Sequence, residues 1–177
     1  MSSPPTLDWN TYGISMLSIK VFLDTNVLID VLSAVRRPST DYSDRIFQEI
    51  RNCRLEGVMT IQSIVDASYV FRRDNNSLDL FRDRILQIRN YVNLEPLDYS
   101  DLTDALLSGL SDFEDELQCY HAESVGCDFF ITSDRKLKNR PTKTGMQFCT
   151  PEEFVCILDA MPVRQQSRPF LVPQRGL

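Results

Sequence analysis

Short apolar runs alternate along this chain with segments whose apolar residues recur every three or four positions. Ile19 and Val21 to Leu23 form a run of strand length that ends at Asp24, which predicts a strand over 19–24. Val27, Leu28, Val31 and Leu32 follow at helical spacing and predict a helix over 26–34, with Thr25 or Asn26 as its cap. The same reading predicts a helix over 40–53, a strand over 58–61 and helices over 63–73 and 78–90. A strand over 91–97 comes next, then a short helix from Asp98 or Ser100 to Leu107 that Gly109 breaks. A helix from Ser111 to Val125 is closed by Gly126, and strands over 128–132 and 146–149 follow. Pro151 then opens a last helix over 151–160. Strands and helices joined by few residues predict an α/β fold, a three-layer α/β/α sandwich around a parallel sheet of four to five strands.

The pattern holds over 18–160, which we read as one domain. Residues 1–17 carry Pro4 and Pro5 without clear periodicity and read as an extension, with Trp9 and Tyr12 expected to pack on the body. The tail over 161–177 contains Pro162, Pro169 and Pro173, together with Arg164, Arg168 and Arg175 and no acid.

Composition narrows the function. A formal charge of −6 argues against a surface that is one large polyanion-binding patch, yet it accommodates an acidic pocket with a small basic rim. A single histidine, His121, leaves little material for a histidine metal cluster or a Ser-His-Asp triad. The five cysteines are an odd number without C-x-x-C spacing, which reads as reduced thiols in a cytoplasmic protein. No apolar run approaches the roughly 20 residues of a spanning helix, and the start lacks a secretion-signal pattern, so no membrane association is expected.

The acids change the picture most. Asp24 ends the first strand, Asp66 follows the second, Asp112 and Asp115 open the helix before the fourth strand, and Asp134 follows that strand. Each has a plain structural reading. Asp24 and Asp134 suit turns, while Ser63-x-x-Asp66, Ser111-x-x-Glu114 and Asp112-x-x-Asp115 suit capping boxes. Asp30, Asp41, Asp44 and Glu49 fit solvated helix faces. The recurrence of acids at strand–helix junctions is the informative feature, because like charges in one pocket repel unless a cation is present. Carboxylates without histidine or thiolate favour hard cations, so Mg²⁺ or Mn²⁺ is the expected cofactor. Such an ion activates water and neutralises charge on phosphodiester oxygens.

Phe22-Leu23-Asp24-Thr25-Asn26-Val27-Leu28-Ile29-Asp30 resembles the opening motif of PIN-domain ribonucleases, a family that includes VapC-type toxins. Ser111-Asp112-Phe113-Glu114-Asp115-Glu116-Leu117-Gln118-Cys119 resembles the helix start of one branch, and Asp128-Phe129-Phe130-Ile131-Thr132-Ser133-Asp134 resembles its strand and turn. The three stretches occur in the family's order, over about Ile19 to Cys156. The resemblance implies a PIN-like fold with Asp24, Asp115 and Asp134 as metal ligands. Asn26 and Thr132 match positions that hold the acids, and Asp112, one helical turn before Asp115, is its expected partner. The match departs at the second acid, where many members carry Glu and this chain has Asp66, which is one methylene shorter.

Arg135, Lys136, Lys138, Arg140 and Lys143 crowd the stretch after Asp134 and suit a phosphate backbone near the acids; a solvated basic loop is the plain alternative. Taken together, the sequence reads as a Mg²⁺- or Mn²⁺-dependent endoribonuclease with Asp24, Asp66, Asp115 and Asp134 as catalytic acids. Its products would carry a 5′-phosphate and a 3′-hydroxyl. The resemblance further implies a toxin whose antitoxin lies across the acidic pocket, in a homodimer. The alternative is a PIN-like module with impaired catalysis that binds RNA or a protein partner, and Asp66 is the feature in its favour. A covalent phosphoryl-transfer domain on Asp24 fits less well, because Asn26 stands where a second Asp is wanted.

Overall fold

A computed structural model describes residues 19–33, 36–74, 77–108 and 112–161. The expectations for the 1–17 extension, for Gly109, for the Ser111 cap and for the tail beyond Met161 lie outside the described residues.

The first strand, β1 (Ile19–Leu23), is followed by α1 (Thr25–Leu32) and α2 (Thr40–Arg51). Next come β2 (Leu55–Thr60), α3 (Ile61–Arg73), α4 (Leu78–Ile88) and β3 (Val92–Glu95). Helices α5 (Tyr99–Ser108) and α6 (Phe113–Ser124) lead to β4 (Phe129–Ile131) and a 3₁₀ helix at Arg135–Asn139. The last elements are β5 (Gln147–Cys149) and α7 (Pro151–Ala160). The five strands form one sheet in the order β3-β2-β1-β4-β5, and every pairing is parallel.

Alternation along the central strands builds three layers, because successive side chains of a strand leave opposite faces. Val21 and Leu23 of β1, Met59 of β2 and Phe129 and Ile131 of β4 face one cluster. There they meet Val27 and Leu28 of α1, Ile46 and Ile50 of α2, Ala67 of α3 and Phe154 of α7. Phe22, Val58 and Phe130, the intervening residues, face a second cluster with Cys119 and Ala122 of α6, Leu137 and Met146. Phe22 stacks on Phe130 with ring centroids 4.9 Å apart, and Phe129 meets Phe154 edge-on at 5.1 Å. Parallel strands buried on both faces read as continuous apolar runs, which is why Val21-Phe22-Leu23 and Phe129-Phe130-Ile131 stand out in the sequence.

Several boundaries move for identifiable reasons. Strand β2 begins at Leu55, three residues before the expected Val58, because Glu56 and Gly57 pair with Lys20 and Val21 of β1. Gly57 permits a close approach there: a Cβ on it would stand 2.6 Å from Cδ1 of Ile50. Helix α3 begins at Ile61 and is capped by Thr60, whose side chain accepts from the Ser63 amide. The expected Ser63-x-x-Asp66 capping box is therefore not formed, and Asp66 lies in the second turn. Helix α1 has Asp24, not Thr25 or Asn26, at its N-cap position. Gly126, at φ +74°, supplies the left-handed residue past the end of α6, as expected of a closing glycine. The stretch after Asp134 is a 3₁₀ helix, not a plain loop.

Two of the acids assigned to solvated faces are buried. Asp30 accepts from Ser39 Oγ at 2.5 Å and Ser43 Oγ at 3.2 Å and has Arg37 at 3.5 Å, so it ties α1 to the start of α2. Glu49 lies between Arg45 (2.8 Å) and Arg54 (2.9 Å). Burial of a carboxylate is tolerated where donors and a counter-charge meet it, and both sites supply them. Asp41 and Asp44, exposed or nearly so, pair with Arg36. Among the described residues no helix is long and apolar enough to cross a membrane, and the five cysteines are free thiols.

Candidate acidic site at the switch point

In the order β3-β2-β1-β4-β5, chain connections leave β1 toward β2 on one side and approach β4 on the other. The carboxyl ends of β1 and β4 therefore border a crevice, the place where open parallel sheets build their sites. The register pairs Leu23 with Ile131, so the next residues out, Asp24 and Thr132, emerge side by side. The Asp24 amide donates to the Ile131 carbonyl at 3.0 Å, which continues the strand pairing up to the acid itself.

Asp24 is only 3 % exposed. Its Oδ2 accepts from Thr132 Oγ1 at 2.7 Å and from Asn26 Nδ2 at 3.3 Å. Burial pushes its pKa up, and the Thr132 and Asn26 hydrogen bonds pull it back in part. Thr132 does a second job, because its hydroxyl oxygen accepts the Asp134 backbone N–H at 2.9 Å. Asp134 in turn accepts the Lys136 amide at 2.8 Å and so caps the 3₁₀ helix.

Helix α6 brings further acids from the other side of the crevice. Asp112 is its N-cap and accepts the Asp115 amide at 3.4 Å, within the expected capping arrangement. The Asp115 carboxyl is pushed up to about 7, first by burial and then by the charges of Asp112, Asp24, Asp134 and Glu114. Asp24, Asp112 and Asp134 are thus each within electrostatic reach of Asp115. Asp66, on α3, is tied to the group through Glu114, whose pKa is raised first by burial and then by the charges of Asp66, Asp24 and Asp112. Asp66 is otherwise held by its own helix, accepting from Gln62 Nε2 at 3.0 and 3.2 Å.

Two residues of this corner escape a sequence reading. Glu114 reads there as a capping residue, and Gln118 as one polar position among many on α6. Gln118 is buried and donates from Nε2 to Thr25 Oγ1 at 3.3 Å and to Glu114 Oε1 at 3.2 Å. The available signal was the i, i+4 spacing of Glu114 and Gln118, which places both on one side of the helix.

The basic cluster divides. Arg140 is taken up by Glu116 in a bidentate pair (3.0 and 2.8 Å), with its side chain 8 % exposed and its guanidinium over the Tyr120 ring. That corrects its expected place among phosphate-binding residues. Lys143 pairs with Asp104 at 3.1 Å and also lies over Tyr120, and Lys138 pairs with Glu153. Arg135 and Lys136 are exposed and form no ion pair among the described residues. A shallow pocket lined by Thr132, Asp134, Arg135, Lys138 and Thr150 opens beside them.

The donor chemistry suits a hard divalent cation. All the acids offer oxygen, and none of Asp24, Asp66, Asp112, Glu114, Asp115 and Asp134 forms an ion pair among the described residues. As placed, no three acidic, histidine or cysteine side chains among the described residues stand close enough to enclose a metal ion. Mg²⁺ does not require that, since it is commonly held by one or two carboxylates with water and substrate phosphate completing its shell.

A parallel sheet with carboxylates gathered at its switch point defines an α/β protein of the acidic-site kind. The family model for the PIN domain matches residues 20–136, about two-thirds of the chain, and the chain belongs to that family. Solved structures share the fold at low identity. The Mycobacterium tuberculosis toxin VapC20, a sarcin–ricin loop cleaving toxin, superposes with a TM-score of 0.51 at 10 % identity, over 62 % of this chain and 86 % of its own. A toxin–antitoxin complex from Klebsiella pneumoniae gives 0.53 at 13 % identity, over 74 % of this chain and 97 % of its own. A protein of Pyrobaculum aerophilum gives 0.54 at 18 % identity, over 83 % of this chain and all of its own. No curated relative matches the sequence.

Proposed function

We propose that this PIN-domain protein is a Mg²⁺- or Mn²⁺-dependent endoribonuclease and the toxin of a toxin–antitoxin pair. The observation that carries the reading is the buried Asp24 carboxylate, met among the described residues by neutral donors such as Thr132 and Asn26 and by no cation, while Asp115, Asp112 and Glu114 add like charge around it. Repulsion that the chain itself leaves unrelieved is what a bound divalent cation relieves.

Asp24, Asp115 and Asp134 are the residues that would hold the ion. Bound there, it would supply activated water and charge neutralisation at the phosphodiester. Thr132 and Asn26 fix the Asp24 carboxylate so that little reorganisation is needed when substrate arrives. Arg135 and Lys136, exposed beside Asp134 and without an ion pair among the described residues, would attract the RNA backbone without reading its sequence. Structural relatives include a sarcin–ricin loop cleaving toxin and a toxin–antitoxin complex, which supports a toxin role and an antitoxin as partner. On α3, Ile61, Val65 and Tyr69 recur every fourth residue and are all exposed, an apolar stripe next to Asp66 that an antitoxin segment or a second copy would cover. The reading places the protein in the cytoplasm, where free thiols persist.

One observation favours the alternative of a PIN-like module with impaired catalysis: Asp66 is tethered by Gln62 within its own helix. Both readings are separated by measuring Mn²⁺ affinity and cleavage of structured RNA for the wild type and Asp24→Asn. The nuclease reading expects cleavage that needs the ion, leaves 5′-phosphate ends and is lost in the variant. Cleavage unchanged by the substitution, or no metal binding by the wild type, would overturn it.

A further inference from the structure

Asp24 and Asp134 follow adjacent strands, and their relative placement comes from the sheet register and from Thr132. Asp115 comes from a helix, so the sheet does not place it. The residue directly after it on α6, Glu116, is buried. There Glu116 meets Arg140 in a two-pronged pair, with Nε donating to Oε1 at 3.0 Å and Nη2 to Oε2 at 2.8 Å. The arginine and glutamate side chains are 8 % and 5 % exposed, and the Tyr120 ring centre lies 4.9 Å from the guanidinium carbon.

Stability does not account for this pair. Taking two charges out of water has a cost that their attraction repays only when the geometry and the remaining hydrogen bonds are good, and apolar side chains of similar volume often serve as well or better. Here the other guanidinium nitrogen, Nη1, is buried without a partner among the described residues. What the pair supplies, and apolar packing does not, is direction, because the planar fork of arginine meets a carboxylate in a fixed orientation. Its two ends lie at informative places. Glu116 follows Asp115 directly, and Arg140 closes the 3₁₀ helix that Asp134 caps. Leu137, within that 3₁₀ helix, shares a buried cluster with Cys119 and Ala122 of α6. The pair therefore ties the segment that begins at Asp134 to the helical turn that carries Asp115.

We propose that Glu116 and Arg140 are positioning residues of the acidic site: their pair holds the head of α6 against the 3₁₀ helix and so sets the separation of Asp115 and Asp134 for a divalent cation. This rests on the metal-dependent reading above. Thr132 fixes Asp24 against Asp134 on the strand side, and the Glu116–Arg140 pair fixes Asp115 against Asp134 on the helix side.

The test is Mn²⁺ binding to the full chain, read as free Mn²⁺ by electron paramagnetic resonance, alongside thermal melting of the metal-free protein. The double variant Glu116→Leu with Arg140→Met removes the pair, leaves the net charge unchanged and keeps apolar volume in its place. It is expected to melt at or above the wild-type temperature and yet to bind Mn²⁺ about 10-fold more weakly or worse. Arg140→Lys keeps the charge and gives up the fork, so it is expected to weaken binding as well; it decides the matter where the double variant does not fold. Wild-type affinity in the folded double variant or in Arg140→Lys, while Asp24→Asn loses the ion, would overturn this inference and leave the nuclease reading standing. A loss of affinity found only in variants that melt well below the wild type would overturn it too, since the pair would then serve stability alone. Undiminished affinity in Asp24→Asn would overturn the metal-dependent reading itself.

Discussion

The Thr132 hydroxyl donates to Asp24 Oδ2 at 2.7 Å and accepts the Asp134 backbone N–H at 2.9 Å, so one buried oxygen joins the ends of two adjacent strands. Both partners are acids of the site, or carry one. The arrangement makes Thr132 the junction on which the relative placement of Asp24 and Asp134 depends.

Thr132→Val keeps the shape and removes both bonds. It leaves the buried Asp24 oxygen and the Asp134 amide short of a partner, which costs about 1–3 kcal/mol. Urea unfolding monitored by circular dichroism should show the midpoint fall by a corresponding amount, with Thr132→Ser recovering most of it. A valine variant as stable as the wild type would show that water replaces the hydroxyl.

The like-charge group gives a pH dependence whose sign is determined. Asp115 has an ordinary value of 3.8 and stands at about 7 in the folded chain. Between those values the folded state holds a proton that the unfolded state has lost. The contribution of Asp115 to stability therefore falls as pH rises from about 4 to about 7. In metal-free buffer, Asp115→Asn should melt above the wild type at pH 8, and the difference should vanish near pH 4. Equal melting temperatures at pH 8 would mean that solvent screens the group more completely than the geometry implies.

Arg140 and Lys136, close in sequence, are expected to behave oppositely. Arg140→Ala leaves Glu116 buried without its counter-charge and should cost about 3–5 kcal/mol. Lys136→Ala, at an exposed position without an ion pair among the described residues, should stay within about 0.5 kcal/mol in stability. Its effect belongs to RNA binding, where affinity should drop similarly for all sequences and the salt dependence should become shallower. Binding assays across a salt series with an uncleaved RNA distinguish the two.

Gly57→Ala places a methyl 2.6 Å from the end of Ile50. Overpacking of this kind costs about 1–3 kcal/mol. Ile50→Val removes that terminal carbon, so the double variant should be more stable than the sum of the single effects predicts. Strict additivity in denaturant titrations would place the strain elsewhere.

Much of this molecule is determined locally, and that part could be read from the chain. Apolar runs such as Val21-Phe22-Leu23 and the helical spacing of Val27, Leu28 and Leu32 depend only on neighbours in sequence, so the order and type of the elements follow from them. The capping role of Asp112 and the closing role of Gly126 are local for the same reason. Even the strand-end position of Asp24 follows from where the apolar run stops.

Pairings between distant segments were settled only by the tertiary structure. Asp30 and Glu49 carry the same charge as any solvated acid, and it is the approach of Ser39, Ser43 and the arginines that lets them be buried. Arg140 reads as one more basic residue until α6 brings Glu116 to it. Gln118 of α6 and Thr25 of α1 lie far apart in sequence and meet only because the chain crosses at the β1–β4 switch point. Side-chain periodicity is a property of a single segment. A shared charge, a buried counter-ion or a hydroxyl between two strand ends is a property of two segments, and only the folded chain brings those two together.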